Sequence, residues 1–147
     1  MNWLKAILLW EAAWWLRRRS RRATLFQQAR ERARALGRPL VVVGAPDGGV
    51  TAGYGCGDYT IDLAASTCPN SLQLDVTQPL PFADDSCVVF VSCVLEYVND
   101  ADAALRQLQR IAGRELYVVR VEPWTLTAFV YPGAKRTLPC DGTGCVR

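Results

Sequence analysis

The sequence predicts an α/β domain: a mainly parallel sheet of about five to six strands with flanking helices, behind an N-terminal amphipathic helical arm. Three observations predict it. Short apolar, β-branched runs recur along the chain and end at Gly44, Asp62, Asp75 and Ser92, the pattern of strands buried on both faces. An amphipathic stretch, 101–112, lies between the run ending at Ser92 and a further apolar run, 115–122, which suits a helix packed against a parallel sheet. The charge is also split. Residues 1–38 hold ten bases and two acids (+8), and the rest of the 147-residue chain holds seven bases and twelve acids (−5). The division is therefore a basic, Trp-rich helical arm, 1–38, and a minimal α/β domain, 39–147, of a size that supports one core.

In the arm, "MNWLKAILLWEAAWWL" is apolar but broken by Lys5 and Glu11. It is shorter than the roughly 20 apolar residues a bilayer span needs, and it lacks a small-residue cleavage site. A cytoplasmic protein, peripheral on a membrane, is the expectation. Trp3, Ile7, Trp10 and Trp14 share one helical stripe, and "RRRSRR" follows directly. Indole rings favour the headgroup region and arginines favour phosphates. Residues 1–22 thus suit an anionic membrane surface, or a partner subunit packed on the Trp stripe. Nucleic acid suits them less, since no nucleic-acid module accompanies the arginines. Residues 21–36 read as a second helical stretch with Leu25, Phe26, Ala29, Ala33 and Leu36 on one face; Ser20 caps it, or the two stretches run together. Gly37 and Pro39 stop it.

In the body, "PLVVVGA" (39–45) reads as the first strand. The glycine-rich "PDGGVTAGYGCGD" follows and cannot hold a helix, because each interior glycine costs about 1 kcal/mol. "YTIDL" (59–63), "SLQLDV" (71–76), "CVVFVS" (87–92) and "ELYVVRVE" (115–122) are the next strands, and 124–138 supplies at most one more, with a turn at Pro132-Gly133. The helix 101–112 turns Ala104, Leu105, Leu108 and Ile111 inward, with Asn99 or Asp100 as cap and Gly113 as stop. Glu96 and Tyr97 are read as opening a helix after the fourth strand. Asp84-Asp85 reads as a solvated turn.

The absence of histidine excludes His-based triads, bases and metal ligands. The six cysteines contain no C-x-x-C pair. Cys87 and Cys93, in or beside an apolar strand, read as small core residues. A site made of Cys56, Cys68, Cys140 and Cys145 is geometrically conceivable, but no close ligand pair nucleates it, and no metal is expected.

In parallel sheets ligands bind at the carboxyl ends of the strands. Gly44 with its loop, Asp62, Asp75 and Ser92 would share that edge. An acid at the second strand tip can take two ribose hydroxyls, a neighbouring acid and backbone can take a base edge, and glycines admit a close backbone approach.

The block "LDVTQPLPFADDSCVVFVSCVLEYV" (74–98), with "ADAALRQLQRIA" after it, resembles the class I S-adenosylmethionine (SAM)-dependent methyltransferases, in particular the type 11 group, over roughly residues 40–122. The resemblance implies a Rossmann-like sheet and a SAM cofactor. It implies that Asp62 holds the ribose, that Asp75 and Val76 hold the adenine, and that Ser92 and Cys93 line the methionine end. Gly44, Asp47 and Gly48 stand in the first glycine motif, where Val42 replaces the family's acid and Pro46 its middle glycine. The family's "PGG" turn before the fifth strand is "AGR", and the chain ends soon after that strand. Asp47, Glu96 and Tyr97 are the candidates to orient or deprotonate a methyl acceptor. The alternative is a methyltransferase-shaped structural or interaction protein that has lost the reaction and docks through its arm.

Overall fold

The computed structural model describes residues 2–46 and 53–119. Helix α1, Asn2–Leu36, is one uninterrupted element, so Ser20 lies within it and caps nothing. Its end is set by Gly37 at φ 62°. Arg38 N–H reaches Ala33 O at 3.0 Å and Gly37 N–H reaches Arg34 O at 3.2 Å, the paired bonds with which a left-handed glycine closes a helix.

Five strands follow: β1 Leu40–Val43, β2 Tyr59–Asp62, β3 Ser71–Gln73, β4 Val88–Ser92 and β5 Leu116–Val119. All pair in parallel, in the order β3-β2-β1-β4-β5. Helix α2, Ala101–Ala112, joins β4 to β5. Asp100 caps it by accepting from Ala103 N–H at 2.8 Å, and Gly113 ends it at φ 57°. Val94–Val98, read from sequence as the start of a helix, is instead a turn closed by Tyr97 N–H on Val94 O at 2.9 Å. The strand proposed after residue 122 lies outside the described residues.

The period of two along each strand sorts the core into two layers. Leu40, Val42, Val88, Phe90, Tyr117 and Val119 meet Leu25, Ala29 and Ala33 of α1. Val41, Val43, Val89, Val91, Leu116 and Val118 meet Ala104, Leu108 and Ile111 of α2. The second half of the basic arm is thus one outer layer of the fold, and the alanines at 29 and 33 bring its backbone close to the sheet. Val42, at the acid position of the glycine motif, is fully buried against that helix face, where an unpaired carboxylate would be costly.

α1 runs antiparallel to the strands. Arg32 pairs with Glu115, just before β5, through two bonds of 3.0 and 2.8 Å. Nearer the N-terminus, Arg18 and Arg22 reach Cys93, just after β4, at 3.0 and 3.5 Å. Residues 2–16 therefore extend past the carboxyl edge of the sheet, by about 22 Å at 1.5 Å per residue. Sequence places the Trp residues on one stripe. In the structure Trp14 is half-buried, whereas Trp3, Leu4, Ile7, Leu8, Leu9 and Trp10 are all exposed, so apolar side chains spread around this tip, broken by Lys5 and Glu11.

Candidate functional site

The strand order reverses between β1 and β4, and such switch points open a crevice beyond the strand ends. A cleft of about 220 Å3 lies there. Its walls come from Gly44 after β1, Asp62 and Leu63 at the end of β2, Asp75 and Val76 after β3, and Cys93 and Tyr97 after β4. Asp62 and Asp75, at the ends of the neighbouring strands β2 and β3, line the same space.

Each acid is held by its own turn. Asp62 Oδ2 accepts from Ala45 N–H at 2.8 Å, tying β2 to the exit of β1, and Oδ1 accepts from Ala64 N–H at 3.0 Å. Asp75 Oδ1 accepts from the backbone N–H and the hydroxyl of Thr77 at 2.9 and 2.7 Å. These bonds hold its carboxyl below the usual carboxylate range, so it is an anion at neutral pH, on an exposed residue.

Gly44 has φ 91°, and a Cβ there would stand 2.8 Å from Val94 Cγ2 and 2.9 Å from Ser92 O. Only glycine lets β1 pass this close to β4. Cys93 also takes a positive φ, 53°, which carries its thiol to the cleft wall in front of Arg18 and Arg22. The predicted residues thus divide. Gly44, Asp62, Asp75, Val76, Cys93 and Tyr97 share the cleft. Ser92 is buried beneath it, and Glu96 is buried with no part in the described cleft wall. Asp47 and Gly48 lie outside the described residues.

Three features have no counterpart in the sequence reading. Tyr54 donates its hydroxyl to Gly44 O at 3.0 Å and stacks on Phe26 and Phe90 with ring centroids 6.2 and 5.2 Å away; burial pushes its hydroxyl above the ordinary range. The Arg18 and Arg22 guanidiniums lie on a cleft thiol 75 and 71 positions along the chain. Cys56 and Cys68 form a disulfide, which takes two thiols out of the conceivable four-cysteine site. Among the described residues no group of three or more ligating side chains gathers for a metal. Only the glycine content of 53–57 and the even cysteine count hinted at a pinned loop. Compared with protein-family models, curated proteins and solved structures, the chain has no match.

Proposed function

We propose that the protein is a SAM-dependent methyltransferase with a Rossmann-like core. The observation that supports this reading most is the shared cleft at the switch point, with one carboxylate from the tip of β2 and another from the tip of β3. Asp62 would hold the ribose hydroxyls with lone pairs left after its two backbone bonds. Asp75 and Val76 would hold the adenine, and Gly44 and Cys93 would flank the methionine end. The residues fit the group: Asp75 is exposed on the cleft wall and keeps one carboxylate oxygen outside its bonds to Thr77.

When bound, the cofactor supplies a methyl group on a positively charged sulfur. The protein's task is then to bind, align and exclude water, since in-line displacement gains most from orientation. Tyr97, on the cleft wall, is the residue placed to orient an acceptor or take its proton. No histidine is needed.

Two observations favour the second reading, a fold kept for interaction alone. Both oxygens of Asp62 already serve the protein's own backbone, and the acid of the glycine motif is a buried valine. Thermal melting with SAM and with its demethylated product separates the two. A ligand at 100 times its Kd stabilises by about 2.7 kcal/mol, a shift of several degrees for a chain of this size. The methyltransferase reading expects that shift in the wild type and its loss in Asp75→Ala, whose side chain makes only local bonds. No shift with either ligand in the folded protein would leave the interaction reading.

A further inference from the structure

We propose that the N-terminal end of α1 inserts into an anionic lipid interface and holds the mouth of the cleft against it, so that the methyl acceptor is the headgroup of a membrane amphiphile. The acceptor clause rests on the methyltransferase reading; the membrane seat does not.

The geometry points to this arrangement through three features that meet at one edge of the molecule. The first is the tip of α1. Trp3, Leu4, Ile7, Leu8, Leu9 and Trp10 are between 46% and 71% exposed, and Ile7 to Trp10 alone turn through a full helical circuit. Six large apolar side chains spread around an exposed helix, with only Lys5 and Glu11 among them, favour a partner over water. The second is charge. Arg17, Arg19 and Arg21 follow within two turns, beside Arg18 and Arg22, which lean on Cys93. Tryptophans beyond a belt of arginines match a layer of acyl chains below a layer of phosphates. The third is Leu63. It is 65% exposed at the tip of β2, on the cleft wall, and so on the edge from which α1 projects.

No helix among the described residues is long and apolar enough to cross a membrane, so the contact is insertion from one side. A second copy is the other occupant that an apolar tip could take. Packed in parallel, however, it would bring two five-arginine clusters together, whereas anionic lipid neutralises them. With α1 continuous into the sheet-bound residues 25–33, the tip and the cleft keep a fixed relation. Arg18, on Cys93 at the cleft, lies about 12 Å of helical rise from Trp10, so the tip reaches beyond the level of the cleft.

The test uses the full chain with vesicles of equimolar phosphatidylcholine and phosphatidylglycerol, and with pure phosphatidylcholine. The protein floats with the mixed vesicles, less with the neutral ones, and Trp3→Ala/Trp10→Ala lowers the bound fraction at least about tenfold. Both side chains are exposed, so the unbound variant should melt like the wild type. Hydrogen exchange on the mixed vesicles slows in residues 3–16 and at the cleft rim, 44–45, 62–64 and 94–98, and is unchanged at the opposite edge, 36–38 and 113–115. Flotation without rim protection would overturn the orientation and with it the acceptor class. Failure to float, with a concentration-dependent dimer in sedimentation, would overturn the seat in favour of a second copy. Flotation with rim protection but no SAM binding would sink the methyltransferase reading and its acceptor while leaving the seat standing.

Discussion

At the scale of single residues, the fold depends on a few charged contacts whose partners are distant in sequence. Glu115 is the plainest case. Hydrogen bonds from Arg32 hold its carboxyl below the ordinary range, and its side chain is only 14% exposed against 47% for the arginine. The folded pKa is depressed, so the pair stabilises fully above the unfolded carboxylate value, about 4.3, and the stability is lost as pH falls through the folded one. Glu115→Gln should therefore melt below the wild type at pH 7, and the gap should close as pH approaches 3; a gap constant with pH would contradict the assignment. Sequence reading did not reach this pair, because neither residue carries a local signal of its partner. It did reach Asp62, Asp75 and Gly44, because strand ends and a glycine after a β-branched run mark the carboxyl edge from local pattern alone.

At the scale of elements, the turn that links β3 to β4 shows what the "PLPFADD" signature does structurally. Arg110 of α2 donates to Leu80 O and Phe82 O at 2.8 Å each and pairs with Asp84 at 2.8 Å. Asp85 pairs with Arg38 at 2.9 Å. The two acids are outward-facing turn residues, as their sequence position suggests, but each also tethers the turn to a helix or to its exit. With a further bond from Nε to Gln107 Oε1 at 3.2 Å, the planar guanidinium serves four oxygens at once, more than the three donors of a lysine can reach. Arg110→Ala should cost about 1–3 kcal/mol and Arg110→Lys should recover little of it in denaturant unfolding. Near-complete rescue by lysine would mean that charge alone matters.

β1, β4 and β5 were legible because apolar runs of four to five residues bury both faces; β3, read over 71–76, is a strand only over Ser71–Gln73 and is not fully buried. The continuity of α1 was not, because the run 17–22 has no apolar period to read. The turn at 94–98 was misread as a helix because "VLEYV" has helical composition, while Cys93 at positive φ and the cap at Asp100 place the helix start later. The disulfide was equally illegible, since pairing depends on the chain reversal that brings the segments before β2 and β3 side by side. Its closed loop, 12 residues in separation, suggests about 2–4 kcal/mol of stabilisation. Cys56→Ser and a reducing buffer should lower the melting temperature by the same amount, and reduction should add nothing to the variant; an additive effect would place the redox sensitivity elsewhere.

At the scale of the whole molecule, the arrangement is a sheet between two helices, with the cleft, the apolar tip of α1 and the arginine belt all at the carboxyl edge. α1 is at once an outer layer of the core over 25–33, a backing for Cys93 at 18 and 22, and an exposed apolar rod before that. The division of the chain into arm and body follows composition; the packing does not, because the same helix serves both. The central claim is that Asp62 and Asp75 wall one adenosine-binding cleft. Calorimetric titration of the demethylated cofactor product into the wild type and into Asp62→Ala tests it most directly. A saturable one-to-one isotherm, weakened at least about tenfold in the variant, is the result this account predicts. A flat isotherm for a folded wild type, or equal affinity in the two proteins, would contradict it.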